Sequence, residues 1–320
     1  MPLVDKPLSE LRVYQGTNPC PQDFDTYWDD SLTELAAIDP DPELTPNNSI
    51  TTKSADCFDL RFTSIDGARI YAKYLRPKSA KSCPAALMFH GYSAESGEWN
   101  DKLSYTSEGI AIAAMDSRGQ GGLSQDVGGA LGTTLRGHIV RGLEDPDSKK
   151  LLFRSHFLDT VQLARVIAGF EEIDAERIGC FGGSQGGGLA LACASLSPFI
   201  KRCAVFFPFL CDYQRVWEMD LAKDAYDELS YYFRRRDPAH KTKRAVFEKL
   251  GYIDCQHLAP RIKAKVLMQT GLMDAICPPS SQFAAYNKIT SDKDLIVYPD
   301  FGHEVPTGGW DQVFNFLSKL

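Results

Sequence analysis

The pentapeptide at residues 182–186, which reads Gly-Gly-Ser-Gln-Gly, constrains the fold of this chain more than any other feature. It fits the pattern G-x-S-x-G, in which a serine lies on a sharp turn between a strand and a helix. Residues 177–181 before it are a short apolar run typical of a buried parallel strand, and residues 189–194 after it have helix-forming composition. This context disfavours a glycine-rich turn with an incidental serine. It predicts that Ser184 is a nucleophile able to attack an acyl carbon.

The order of the other predicted elements indicates an α/β-hydrolase fold. A hairpin is predicted where residues 57–62 and 69–75 flank the turn residues Asp66-Gly67. Further strands are predicted at 85–89, 110–115, 178–181, 204–207, 266–270 and 295–298, and helices at 157–170, 279–287 and 309–320. A hairpin that leads into repeated β-α units predicts a mostly parallel central sheet with helices on both faces.

We expect residues 1–320 to form a single domain with two additions. Residues 1–54 resemble an N-terminal arm, in which a helix is predicted from about residue 23 to 36, followed by a loop rich in proline and aspartate. Residues 212–257 form an insertion after the sixth predicted strand and are dense in charged and aromatic residues. The insertion is either a solvated helical cap or a lid or subunit interface, since clustered Tyr, Phe and Arg are typical of interfaces.

The partners of the serine are expected downstream, because this fold orders its catalytic triad as Ser, then Asp or Glu, then His. Asp274 follows the predicted strand 266–270 and is the candidate acid. His303, on the loop after the last strand, is the candidate base and the only histidine that follows Asp274. Asp300 competes with Asp274 for the role of acid, but it lies on the same short loop as His303, which makes it a poor orienting partner.

The backbone N–H groups that would stabilise an oxyanion are predicted at Tyr92 and Gln185. His90-Gly91-Tyr92 ends the strand where this fold places its oxyanion loop, and Gln185 directly follows the nucleophile. Tyr92 is also the candidate substrate-binding residue. His90 is predicted to be structural rather than catalytic, and residues 118–120, Arg-Gly-Gln, are predicted to hold neighbouring loops by hydrogen bonds.

Composition narrows the partners that this chain can have. Its 35 Lys and Arg and 42 Asp and Glu give a net charge of −7, which argues against a nucleic-acid partner or an anionic membrane surface. The sequence shows neither a signal-peptide pattern nor an apolar run of membrane-spanning length. Nine scattered cysteines without a Cys-x-x-Cys pair disfavour a zinc site or a disulfide framework, and they fit a reduced, cytoplasmic compartment. No cofactor is expected, and Cys277, close to Asp274 in the chain, is hypothesised to make the protein sensitive to oxidation.

Four short motifs together resemble the signature of a known family. They are His-Gly-Tyr at 90–92, Arg-Gly-Gln at 118–120, Gly-Gly-Ser-Gln-Gly-Gly at 182–187 and His-Glu at 303–304. In this order they resemble carbohydrate esterase family 7, which comprises acetyl xylan esterases and cephalosporin C deacetylases. The resemblance extends to residues 23–28 and to the insertion, so it covers essentially the whole chain.

The resemblance implies serine-dependent removal of acetyl groups from small oxygen esters, including acetylated xylo-oligosaccharides and cephalosporin C. It also implies a homo-oligomer, a hexameric ring whose sites face an internal cavity, together with a cytoplasmic location and no metal. The alternatives are a general short-chain carboxylesterase, a prolyl-oligopeptidase-like peptidase and a non-catalytic binding protein of the same fold. The chain has no room for the large β domain of those peptidases, and the presence of all three triad residues argues against the binding protein.

Overall fold

The computed structural model describes residues 4–78, 81–130, 132, 137–221 and 223–320. Its strands are β1 (Glu43–Pro46), β2 (Ala55–Thr63), β3 (Arg69–Pro77), β4 (Cys83–Phe89), β5 (Ala111–Met115), β6 (Ile173–Gly183), β7 (Ile200–Phe206), β8 (Lys265–Gly271) and β9 (Lys293–Tyr298). These strands form one sheet in the order β1-β2-β3-β5-β4-β6-β7-β8-β9. The pairs from β1 to β5 are antiparallel, and all pairs from β5 to β9 are parallel.

Helices connect the parallel strands and cover the sheet. The α-helices of the described residues are α1 (Leu8–Leu11), α2 (Phe24–Ala36), α3 (Leu103–Ser107), α4 (Leu152–Ala168), α5 (Gln185–Leu196), α6 (Tyr213–Glu218), α7 (Asp227–Arg236), α8 (Lys243–Leu250), α9 (Cys255–Leu258), α10 (Pro279–Lys288) and α11 (Gly309–Leu317). Every residue of α5 is buried, because this helix lies between the sheet and the neighbouring helix α4. None of the helices in the described ranges combines the length and the apolar character that a membrane crossing requires.

The sheet confirms the predicted hairpin and the predicted α/β-hydrolase fold. Strands β2 and β3 pair in antiparallel register, with Phe62 opposite Ile70, and the turn between them contains Asp66 and Gly67. Each later strand begins or ends within a few residues of its predicted position. A mostly parallel sheet that receives an antiparallel hairpin at one side is the layout of the α/β-hydrolase fold.

The sequence prediction missed one strand. Residues 43–46, expected to lie in a loop, form the edge strand β1 against β2. Pro46 is tolerated there because an edge strand does not need every N–H for its ladder. The insertion therefore follows the seventh strand rather than the sixth, and its described residues form the helices α6 to α9.

Asp212, at the start of the insertion, joins the N-terminal residues to the rest of the fold. Its carboxylate accepts hydrogen bonds from the Tyr14 hydroxyl at 2.8 Å, the Thr17 N–H at 3.0 Å and the Asn18 N–H at 2.8 Å. Asp212 is completely buried. Because a buried carboxylate needs hydrogen-bond donors, these contacts fix the N-terminal segment against the insertion.

The strand order reverses at β4, which places two functional loops side by side. Strand β5 pairs with one edge of β4 and β6 with the other. In open α/β sheets, ligands bind outside the carboxyl ends of the strands at such a switch point. The loops that follow β4 and β6, which contain Tyr92 and Ser184, both begin there.

Candidate active site

Ser184 lies on a strained turn between β6 and α5. Its backbone has φ 55° and ψ −121°, a region that residues other than glycine rarely occupy. Two main-chain hydrogen bonds join this turn to the end of β7 and the loop after it. The Ser184 N–H donates to the Phe206 carbonyl at 3.1 Å, and the Phe209 N–H donates to the Ser184 carbonyl at 2.9 Å. The loop after β7 thus fixes the strained conformation that turns the Ser184 hydroxyl towards its partners.

The first and last glycines of the pentapeptide, Gly182 and Gly186, are required by close backbone contacts. A Cβ atom at Gly182 would lie 2.5 Å from the carbonyl carbon of Gly186, and one at Gly186 would lie 2.0 Å from the carbonyl oxygen of Phe89. No side chain fits at such distances. Crowding between the backbones of β4, β6 and α5 at this turn therefore explains both glycines.

The structure brings the three predicted triad residues together. His303 Nε2 lies 3.0 Å from Ser184 Oγ, and His303 Nδ1 lies 2.9 Å from Asp274 Oδ2. Asp274 follows β8, and His303 lies on the loop after β9, where its ring packs against that of Phe207 at 4.5 Å. Because a carboxylate accepts at Nδ1, the proton of a neutral His303 resides there and the Nε2 lone pair faces the serine hydroxyl.

Asp274 is completely buried and its oxygens are held by several donors. Oδ1 accepts from the N–H groups of Ile276 at 2.9 Å and Cys277 at 2.8 Å, and Oδ2 accepts from Gln282 Nε2 at 3.2 Å as well as from His303. These donors stabilise the negative charge and fix the carboxylate in one orientation. The competing residue, Asp300, is exposed to solvent.

A pair of glutamine side chains links the two loops that carry the predicted oxyanion donors. Gln120 Nε2 donates to Gln185 Oε1 at 2.7 Å, and Gln185 Nε2 donates to Gln120 Oε1 at 2.9 Å. Gln120 Oε1 also accepts from the Ser93 N–H at 2.9 Å, next to Tyr92. Within the described part of the chain, the N–H groups of Tyr92 and Gln185 have no protein acceptor, so both remain available to a ligand oxygen.

His90 and Arg118 hold loops, in the manner predicted from the sequence. His90 Nε2 accepts from the Ser117 N–H at 2.9 Å, so its Nδ1 carries the proton and donates to the Gly91 carbonyl at 2.7 Å. Burial lowers the pKa of His90 and keeps the ring neutral. The guanidinium of Arg118 donates twice to the carboxylate of Asp159, at 2.7 and 2.6 Å, and both side chains are buried.

Cys277 does not fit the hypothesis of an oxidation-sensitive thiol. Its side chain is completely buried against Ser184, and burial raises its pKa well above the ordinary value. Oxidants and alkylating reagents react with an accessible thiolate, and this thiol is neither accessible nor ionised. The burial of Cys277 therefore argues against the hypothesis, because proximity in the sequence does not imply exposure.

Two residues near the site were missed by the sequence analysis. The ring of His138 lies 5.3 Å from that of Tyr92, and Glu228, on α7 of the insertion, approaches the Tyr92 hydroxyl. Neither belongs to a recognisable motif. No sequence signal distinguishes Glu228, because the insertion is dense in charged residues and such residues are usually exposed.

Comparison with known proteins places the chain in one family. The family model described as acetyl xylan esterase (AXE1) matches residues 1–320. The structure is similar to that of acetyl xylan esterase 1 from Thermoanaerobacterium sp. JW/SL YS485, with 54% sequence identity, a TM-score of 0.96 and coverage of 98% of this chain and 99% of the other. It is also similar to the acetyl xylan esterase from Paenibacillus sp. R4, with 34% identity, a TM-score of 0.93 and the same coverage.

A longer curated protein is related at lower identity. The acetyl esterase Axe7A of Xylanibacter ruminicola is 25% identical over 285 residues, which are 87% of this chain. The chain spans only 62% of the length of that relative.

Proposed function

The chain belongs to the acetyl xylan esterase family, and we propose on this basis that it is a serine esterase that removes acetyl groups from small oxygen esters. The observation that carries the proposal is the hydrogen-bonded series Ser184–His303–Asp274 at the carboxyl end of the parallel strands. A nucleophile, a base and a group that orients the base are the parts that acyl transfer requires.

In the proposed mechanism, His303 Nε2 takes the proton of the Ser184 hydroxyl as Oγ attacks the acetyl carbonyl carbon. The N–H groups of Tyr92 and Gln185 stabilise the negative charge on the carbonyl oxygen. The tetrahedral intermediate then collapses, the C–O bond to the alcohol breaks, and His303 protonates the departing oxygen. A water molecule, deprotonated by His303, then attacks the acetyl-serine. The bond from the acyl carbon to Ser184 Oγ breaks, His303 returns the proton to Oγ, and acetate leaves.

We propose acetylated xylo-oligosaccharides and cephalosporin C as substrates. The names of the structural relatives support the first of these, since both are acetyl xylan esterases. Cephalosporin C carries its acetyl group on a primary alcohol, which requires the same chemistry at Ser184. Tyr92 is the proposed substrate-binding residue, and its ring lies 5.8 Å from that of Phe209, whose N–H donates to the Ser184 carbonyl.

The test is hydrolysis of p-nitrophenyl esters from acetate to octanoate, together with acetylated xylo-oligosaccharides and cephalosporin C. If the acyl pocket accommodates acetyl only, kcat/KM should fall by more than tenfold, on the order of 10²-fold, between acetate and butyrate, because added methylenes meet a closed wall. Equal rates on acetate and octanoate would instead identify a general carboxylesterase. Absence of labelling by a fluorophosphonate, which reacts with activated serines, would identify a non-catalytic protein.

We further propose that the protein acts as a single domain, assembles as a homo-hexamer and is located in the cytoplasm. The hexamer rests on family resemblance, and the location is supported by the nine cysteines, all of which are free thiols. Multi-angle light scattering of the purified protein should give a mass about six times that of the chain, near 213 kDa from the 35.5 kDa chain. A stable monomer would contradict the hexamer.

A further inference from the structure

The carboxylate of Glu228 is buried in the wall of the candidate active site. Glu228 is the second residue of α7, and only 1% of its surface is exposed. Its Oε1 accepts from the N–H groups of His138 at 3.0 Å and Ile139 at 2.8 Å, and its Oε2 accepts from the N–H of Val140 at 3.1 Å. Three successive backbone donors on one carboxylate fix the segment 137–140 against the insertion.

The same carboxylate reaches the oxyanion loop. The hydroxyl of Tyr92 donates to Glu228 Oε1 at 3.4 Å. The Tyr92 ring is held between the ring of His138 at 5.3 Å and that of Phe209 at 5.8 Å. Phe209 in turn donates its N–H to the carbonyl of Ser184. Phe209 therefore connects the Tyr92 ring to the turn that carries the nucleophile.

Burial makes the charge of Glu228 costly to maintain. Loss of contact with water raises the pKa of Glu228 to about 7, and the N–H donors of residues 138–140 act in the opposite direction. Within the described residues, no lysine or arginine forms an ion pair with Glu228. The negative charge of its carboxylate is therefore stabilised mainly by backbone N–H groups, together with the N-terminus of α7. A leucine or methionine would be the ordinary choice for this position, since buried charged side chains are rare.

We propose that Glu228 is a positioning residue, which aligns the oxyanion donor of Tyr92 by binding the backbone of residues 138–140 and the Tyr92 hydroxyl at once. The insertion thereby contributes to catalysis without contacting the reacting atoms. This inference rests on the proposed function, because it assumes that the Tyr92 N–H stabilises the oxyanion.

The proposal predicts a selective loss of kcat. An oxyanion donor contacts its ligand mainly in the transition state, so its misplacement lowers kcat and leaves KM almost unchanged. Glu228→Gln retains the shape of the side chain but replaces one acceptor oxygen with an amide NH₂ group. This NH₂ donor then faces a backbone N–H donor, and no hydrogen bond can form between them. We expect this variant to lower kcat for p-nitrophenyl acetate about tenfold, with KM within about twofold of wild type.

A double-mutant cycle tests whether Glu228 acts through Tyr92. Tyr92→Phe keeps the ring and removes only the hydroxyl contact, and we expect it to lower kcat about threefold in the wild-type background. In the Glu228→Gln background it should add nothing, so the double variant loses about tenfold rather than about thirtyfold. Multiplicative losses, or a wild-type kcat in Glu228→Gln, would overturn the proposal.

Two controls keep the test decisive. Glu218→Gln changes an exposed glutamate of α6 in the same insertion, which accepts from Gln214 and Lys243, both at 2.9 Å, and should retain the wild-type kcat. Rates are expressed per serine labelled by a fluorophosphonate at completion, which counts folded sites. If Glu228→Gln does not fold, the kcat of Tyr92→Phe by itself tests the proposal. An unchanged kcat in Tyr92→Phe would exclude a role for the contact between the Tyr92 hydroxyl and Glu228.

These measurements distinguish a failure of the proposed esterase function from a failure of the positioning role of Glu228. An unlabelled or inactive wild-type protein contradicts the esterase itself, whatever the Glu228 variants do. A labelled, active wild type with normal kinetics in Glu228→Gln contradicts only the positioning role.

Discussion

Replacement of Ser184 with alanine is expected to lower kcat for acetyl ester hydrolysis by a factor of about 10⁵ to 10⁶. The substitution removes the Oγ atom that lies 3.0 Å from His303 Nε2, so no atom remains at that position to form the acyl-enzyme. The main-chain bonds that hold the turn, to Phe206 and Phe209, do not involve this oxygen. The variant should therefore fold normally and bind substrate while it loses the chemical step.

The measurement is steady-state hydrolysis of p-nitrophenyl acetate, combined with intact-mass analysis after treatment with a fluorophosphonate. Wild type should gain the mass of one phosphonyl group, and Ser184→Ala none. Ser195→Ala is the matched control, because Ser195 lies on α5 and its hydroxyl donates within that helix to the Leu191 carbonyl at 2.7 Å. Hydrolysis that persists near the wild-type rate in Ser184→Ala would show that another residue is the nucleophile.

Replacement of Asp274 with asparagine is expected to lower kcat about 10⁴-fold. An asparagine oxygen can still accept from the N–H groups of Ile276 and Cys277, but its NH₂ group then faces His303 Nδ1. Two donors cannot share that contact, so the His303 proton moves to Nε2. With Nε2 protonated, His303 can no longer accept the proton of Ser184.

Asp300→Asn is the control for this prediction, since Asp300 is an exposed carboxylate on the same loop as His303. It should retain the activity of wild type within about twofold, because exposed surface groups have small effects. Thermal unfolding of both variants, followed by circular dichroism, shows whether the folds are intact. Comparable activity of Asp274→Asn and Asp300→Asn would contradict the assignment of Asp274 as the acid.

The sequence left the structural role of the insertion, residues 212–257, undecided. Its density of charged and aromatic residues was consistent with a solvated cap and also with a lid or an interface. The structure shows that one of its charges, on Glu228, points inward to residues 138–140. Another, on Asp212, is buried beneath the N-terminal segment. These contacts indicate that the insertion also shapes the protein interior.

Local patterns predicted most elements well. The helix expected from about residue 23 to 36 is α2 (Phe24–Ala36), and the helix expected at 279–287 is α10 (Pro279–Lys288). Strand β1 was missed because its four residues contain a proline and show no apolar alternation. Such a strand forms only because β2 offers an unpaired edge, a property of the assembled sheet and not of residues 43–46.

The sequence alone determined the type of fold and the three residues that form the hydrogen-bonded series. Apolar periodicity is a local property, and the order Ser184, Asp274, His303 follows from the loops that come after particular strands. Tertiary structure alone decided the tautomer of His90, the burial of Cys277 and the contact of Glu228 with Tyr92. Each depends on which distant segments pack around a side chain, because burial and hydrogen-bond partners are set by the whole assembled core.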